Sequence, residues 1–314
     1  GNRLLSEHQE STPIYRQLSE TASAGLARYL LTRLSLISAE VFQHEFWLQR
    51  MTQTPILGLM GADAMAQRAD DVQSDHYHQF VRQFYDEEAL WEFFKEYSLL
   101  ARLLVEEIQT WVSAVGEFLT RLDRDWAALA VAFGGLGEGV GEILAGLSDP
   151  HNNGRTVFQV SFASGIRLIY KPHSLAMDGA YHSFVEWTNK HCGLPTLKTP
   201  QLLEMGSHGW GEVIDQQPCQ SADGVERFYT RLGILIAVMY LLSGADFHYE
   251  NVIAHGEFPM PVDLEMLLYP PMAPELGESA SGEIDAWQQI ATVFASSLLP
   301  FGNREVGGGV DASY

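Results

Sequence analysis

The chain has 314 residues, 46% of them hydrophobic and 19% charged, with a formal net charge of −21; this is a globular composition, long enough for one large domain or two ordinary ones. A surface so negative repels nucleic acid and anionic lipid and argues against both as partners, while acidity alone selects no ligand. Two cysteines, Cys192 and Cys219, stand outside any C-x-x-C pair, which argues against structural zinc and fits a reducing cytoplasm.

The opening Gly1-Asn2-Arg3 has neither an initiating Met nor a signal peptide, so the chain reads as a piece of a longer protein. Residues 1–146 read as a helical N-terminal region. Apolar residues recur at helical spacing in Leu26-Tyr29-Leu30-Leu34-Leu36, in Leu90-Trp91-Phe94-Tyr97-Leu100 and in Leu103-Ile108-Trp111-Val115. Polar or Gly-containing stretches at Gly58 to Asp63 and Ala69 to Ser74 separate these helices. The Gly-rich stretch Gly134 to Gly141 lacks the G-x-G-x-x-G register and any following Lys-Ser/Thr, so it reads as a helix break and not as a phosphate loop. Asp75-His76-Tyr77-His78 reads as histidines on a helix surface more readily than as a metal site. His44-Glu45 lacks the second His of a zinc-protease helix.

Character changes at Ser148-Asp149-Pro150-His151-Asn152-Asn153-Gly154, a cluster of turn formers. Residues 147–314 then read as a catalytic region. Thr156–Phe162 and Ile166–Lys171 flank Ala163-Ser164-Gly165 as a β-hairpin. A helix follows over about 177–190, short strands at 202–205 and 211–214, and a long helix over 223–243. Its run Leu232 to Leu242 spans about three turns, too short to cross a bilayer. Two short strands flank His255-Gly256-Glu257, and a last helix covers 283–298.

The chemistry sits in the loops of that second part. Phosphoryl transfer from a nucleotide needs a cation on the phosphates, a carboxylate for the accepting hydroxyl, and a carboxylate with an amide for magnesium. Kinase catalytic loops place the first Asp five residues before the metal-binding Asn. Here Asp246 precedes Asn251 by five, Asp263 follows 12 residues later, and Lys171 ends a predicted strand 75 residues upstream. A lone Asp or Asn in a loop is usually a turn former; the joint order and spacing are what point to a kinase-type site with ATP and Mg2+. The loop carries its His after the Asp, as Asp246-x-His248-x-x-Asn251, which resembles phosphoinositide-type lipid kinases more than protein kinases. His248 either braces this loop or takes part in the chemistry, and Glu250 reads as a loop charge. The cluster Asp149 to Arg155 is either a plain turn or a His–carboxylate pair able to move a proton; the residues alone leave both open.

Taken together, Ser148-Asp149-Pro150-His151-Asn152-Asn153-Gly154-Arg155-Thr156-Val157, Leu168-Ile169-Tyr170-Lys171-Pro172-His173-Ser174-Leu175, Asp246-Phe247-His248-Tyr249-Glu250-Asn251-Val252 and Val262-Asp263-Leu264-Glu265-Met266-Leu267 resemble the dehydratase domain of class II lanthipeptide synthetases. The resemblance runs over about residues 90–314, through Leu298-Leu299-Pro300. It implies a lipid-kinase-like α+β domain behind the helical region. It also implies ATP-dependent phosphorylation of Ser and Thr in a leader-bearing precursor peptide, followed by phosphate elimination to dehydroalanine and dehydrobutyrine. Carried over, Lys171 holds the nucleotide phosphates, and Asp246 orients or deprotonates the hydroxyl with His248 beside it. Asn251, Asp263 and Glu265 serve magnesium, and Asp149 and His151 act in elimination. His173 stands where the family usually carries Arg. The family's further elimination residues and its zinc-binding cyclase domain are expected in the parent protein, beyond residue 314. The other readings are a plain kinase without elimination and a non-catalytic module that binds nucleotide or peptide.

Overall fold

The computed structural model describes residues 14, 17–53, 75–268, 293–299, 302–303 and 310–311. The chain divides into two compact units, residues 1–131 with 135–165, and residues 132–134 with 166–314. The division at 165/166 differs from the boundary at 146/147 expected from turn formers, because the first unit retains two strands that pack on its helices.

In the first unit, α1 (Glu20–Gln53) begins at Ser19, whose hydroxyl accepts the Ala22 N–H at 3.0 Å and donates to the Gly141 carbonyl. A capping hydroxyl satisfies one of the orphan N–H groups of a first turn; here it also ties the helix to a strand. Next come α2 (Asp75–Gln83), α3 (Glu87–Glu96), capped by the Asp86 carboxylate on Ala89 N–H, and the 36-residue α4 (Ser98–Phe133). Rings of Phe42, Phe46, Phe80, Phe84 and Phe93 join α1, α2 and α3 edge to face or stacked. The expected helical faces are half right: Leu26, Leu30, Leu100, Trp111 and Val115 are buried, whereas Leu36, Trp91 and Leu103 face solvent.

The expectation of helix throughout 1–146 is corrected at its end. Gly134, Gly137 and Gly139 take φ of 98°, 77° and 113°, a conformation that stops a helix and costs glycine little. Strand β1 (Val140–Ala145) follows and pairs antiparallel with β2 (Phe158–Phe162). Helix α1 lies so close to β1 that a Cβ on Gly25 would stand 2.1 Å from the Ile143 carbonyl oxygen. Phe118 of α4 stacks on Phe158 of β2 at 4.3 Å, which fixes the strand to the helix. The Gly58–Asp63 and Ala69–Ser74 stretches lie outside the described residues.

In the second unit, β3 (Arg167–Lys171) pairs antiparallel with β5 (Gly209–Glu212), which also pairs with β4 (Leu202–Glu204). Between β3 and β4 runs α5 (Ala176–His191); α6 (Ala222–Leu241) starts at Ser221, whose side chain accepts from Gly224 N–H. The hairpin β6 (Val252–His255) and β7 (Phe258–Pro261) turns at Gly256, φ 61°. These elements match the sequence reading to within a few residues. Tyr181 and Val185 of α5, Leu235, Val238 and Met239 of α6, and Phe247, Leu264 and Leu267 beyond it form one apolar core. Of the helix expected over 283–298, the described part holds a 3-10 turn at Val293–Ser296 followed by irregular chain; 283–292 lie outside the described residues, as does Pro300. No helix among the described residues is long and apolar enough to cross a membrane.

Candidate active site

Lys171 is the last residue of β3, opposite Gly209 in the ladder. Its Nζ donates at 2.9 Å to Asp178 Oδ1, in the first turn of α5, and at 2.9 Å to the Val262 carbonyl oxygen. Both side chains are largely buried, 15% exposed for Lys171 and 7% for Asp178. A strand lysine paired with a helix carboxylate is what kinase sites use to hold a cation ready for nucleotide phosphates. Asp178 carries no local sequence signal, since it becomes Lys171's partner only when the segment between β3 and α5 turns back. One helical turn on, burial pushes the His182 imidazole below its usual range; Asp178 opposes that shift and Lys171 adds to it.

The loop after α6 is held at several points. Gly244 N–H bonds Met239 O, Ala245 N–H bonds Met266 O and Phe247 N–H bonds Ser296 O. Phe247 is fully buried, and a Cβ on Gly244 would meet its ring at 2.8 Å, so the loop's shape depends on that glycine and that ring. Asp246 lies between them at φ 64°, a left-handed conformation uncommon outside glycine and a frequent companion of functional sites. The result is an anchored loop whose Asp246 carboxylate is 59% exposed. His248 Nε2 stands 3.5 Å from Asp246 Oδ1, while its Nδ1 accepts the Glu250 N–H at 3.2 Å. With Nδ1 used as an acceptor, the neutral ring carries its proton on Nε2, toward Asp246.

Asn251 Nδ2 donates to the Asp246 carbonyl at 2.9 Å, which leaves its Oδ1 available. Asn251 O accepts the Val262 N–H at 3.0 Å, so Asn251 and Asp263 flank the open end of the β6–β7 hairpin. Val262 is therefore bound on one side by Asn251 and on the other by Lys171. Asp263 Oδ1 accepts the Glu265 N–H at 3.2 Å and leaves Oδ2 available. The Glu265 carboxylate contacts His173, with Oε1 3.1 Å from Nδ1. Among the described residues no three His, Cys, Asp or Glu side chains gather as a metal group. A magnesium ion in a nucleotide site does not require one, because phosphate oxygens and water complete its shell. The oxygen donors of Asn251 and Asp263 fit such an ion and do not fit zinc.

Asp149 and His151 belong to the first unit. His151 and Arg155 exchange two backbone hydrogen bonds of 2.9 Å, closing a turn in which Asn152, Asn153 and Gly154 all have positive φ. The turn is stapled from below: Thr156 Oγ1 donates to Ser148 O, Val157 N–H donates to Ser148 Oγ, and Arg155 grips Glu117 through Nε and Nη2. The turn reading of this segment thus holds. It is a tight turn, and it presents Asp149 and His151 to solvent from a fixed base.

Residues 97–314 match the family described as Domain of unknown function (DUF4135). Over 157 residues the chain is 29% identical to a protein of Lactococcus lactis subsp. lactis named Lacticin 481/lactococcin biosynthesis protein LcnDR2, an alignment covering 48% of this chain and 17% of that protein. The chain thus spans only a small part of that relative's length. Both findings agree with the resemblance to class II lanthipeptide synthetases carried by the motifs, and the chain belongs to the DUF4135 family.

Proposed function

We propose that this chain is the phosphoryl-transfer part of a lanthipeptide dehydratase, with a lipid-kinase-like second unit acting on Ser and Thr of a precursor peptide. The observation that carries the reading is the convergence on Val262: Lys171 on its carbonyl, Asn251 on its N–H, and Asp263 next in sequence. One residue thereby gathers the phosphate cation and both candidate magnesium residues. The name of the Lactococcus relative supports the lantibiotic setting.

In this reading Lys171, held by Asp178, fixes the nucleotide phosphates, and Asn251 and Asp263 would hold magnesium. Magnesium, when bound, neutralises charge developing on the phosphate oxygens. Asp246 orients the Ser or Thr hydroxyl and accepts its proton as the new O–P bond forms and the bond to departing ADP breaks. His248 donates from Nε2 toward Asp246 and limits the directions its carboxylate can take. In the second step Asp149 and His151 take the α-proton of the phosphorylated residue, the Cβ–O bond breaks, and phosphate leaves.

The test is incubation with ATP, Mg2+ and leader-bearing lacticin 481 precursor, read by mass. A loss of about 18 Da per site is expected from the complete dehydratase; a stable gain of about 80 Da means transfer without elimination. Asp246→Ala should abolish both changes, and His151→Ala in the complete protein should accumulate phosphopeptide. Unchanged peptide from a protein that binds ATP would refute catalysis and leave a binding module.

A further inference from the structure

The resemblance places Glu265 among the magnesium ligands, but its side chain is engaged elsewhere. Glu265 Oε1 stands 3.1 Å from His173 Nδ1. A carboxylate only accepts, so Nδ1 is the ring atom that faces it in this close polar contact. The other ring nitrogen, Nε2, is buried and has no hydrogen-bond partner among the described residues, so the Glu265 contact is the polar interaction that sets the ring's orientation. Two residues before His173, Lys171 reaches the Val262 carbonyl. The exit of β3 and the exit of β7 are thus joined by two rungs, Lys171 to Val262 and His173 to Glu265. Glu265 also gives its backbone N–H to Asp263 Oδ1. One residue therefore orients the metal carboxylate with its main chain and grips the lysine strand with its side chain.

We infer that Glu265 is a positioning residue acting through His173, a latch that sets the spacing of Lys171 and Asp263, and not a ligand of the metal. The inference rests on the nucleotide site proposed above. Its chemical consequence is that Glu265 governs affinity for the nucleotide phosphates without governing the metal requirement separately.

The test measures ATP binding by calorimetry to the 314-residue chain across a Mg2+ series, with Asp263→Asn as the metal-ligand reference. Glu265→Ala and His173→Ala should each weaken ATP binding by about tenfold, as loss of one positioning polar contact does. The double variant should bind no more weakly than either single one, because coupled partners are not additive. Half-saturating Mg2+ should move equally in the two single variants. Glu265→Gln, which keeps an acceptor oxygen, should recover part of the lost affinity and covers the case in which the alanine variant does not fold. Additive losses, no recovery in Glu265→Gln, or a Mg2+ requirement raised in Glu265→Ala beyond that of His173→Ala would each overturn the latch. A wild-type chain without Mg2+-dependent ATP binding, or an Asp263→Asn variant with an unmoved Mg2+ requirement, would instead overturn the nucleotide site itself.

Discussion

Removing Asp178 should separate what holds the second unit together from what it does. Asp178→Ala leaves the Lys171 ammonium largely buried, with the Val262 carbonyl as its remaining hydrogen-bond acceptor among the described residues. Stripping one partner from a fully buried ion pair costs about 3–5 kcal/mol. Lys171 keeps a 2.9 Å hydrogen bond and is 15% exposed, so the loss falls toward about 2–3 kcal/mol. With a urea slope of about 2–3 kcal/mol per molar, the unfolding midpoint should drop by about 1 M. The double variant Lys171→Met, Asp178→Leu removes both charges and fills the space with apolar atoms, so it should regain most of that stability. Its ATP binding should nevertheless stay as weak as that of Lys171→Met. The assay is urea unfolding beside ATP titration on all four proteins. An Asp178→Ala midpoint within about 0.2 M of wild type, well below the expected shift, or a double variant no more stable than Asp178→Ala, would refute the buried-pair reasoning.

Two helical glycines should respond oppositely to alanine. Gly25→Ala places Cβ against the Ile143 carbonyl oxygen, and that clash should outweigh the gain in helix propensity and destabilise by about 1–3 kcal/mol. Gly116→Ala in α4 meets nothing within 4 Å and should stabilise by about 0.5–1 kcal/mol; thermal melting distinguishes the signs. His182 is held neutral by burial, with a folded pKa below its ordinary 6.5. The unfolded chain therefore binds the proton more readily, so the stability contribution is complete above about pH 6.5 and is lost as pH falls through the lower folded value. Urea midpoints from pH 8 down to pH 5 should fall more steeply for wild type than for His182→Gln, and parallel curves would exclude the assignment.

The sequence made the second unit legible where geometry is local. Asp246, Asn251 and Asp263 are tied together by a loop and a tight hairpin, so their spacing encodes their proximity. Asp178 and the His173–Glu265 contact were not legible, because the first depends on an irregular turn between strand and helix, the second on a segment folding back across the unit, and neither leaves a periodicity behind. Strand β1 was missed for another reason. Its Gly-rich approach reads as a flexible break, yet Gly137 and Gly139 lie where a Cβ would strike the Ser164 and Gln17 backbones. Exposed Leu36, Trp91 and Leu103 misled the periodicity because a long helix also places apolar residues outside the face it buries.

The far end of the β6–β7 hairpin is fixed as firmly as its functional end. Arg231 donates to the Thr196 and Glu257 carbonyls and pairs with the Glu257 carboxylate, and its guanidinium lies 4.1 Å from the Phe258 ring centre. Arg227 grips the same carboxylate and holds it below the usual range. At about 3.4 Å per residue, four residues of strand separate this clamp from Asn251 and Asp263 by roughly 14 Å. The hairpin therefore works as a short rigid lever pinned at its tip, and small errors at the pin reach the opposite end almost undiminished. In the proposed reading, substitutions at Arg231 or Glu257 should register as lost phosphoryl transfer, although neither residue belongs to the site.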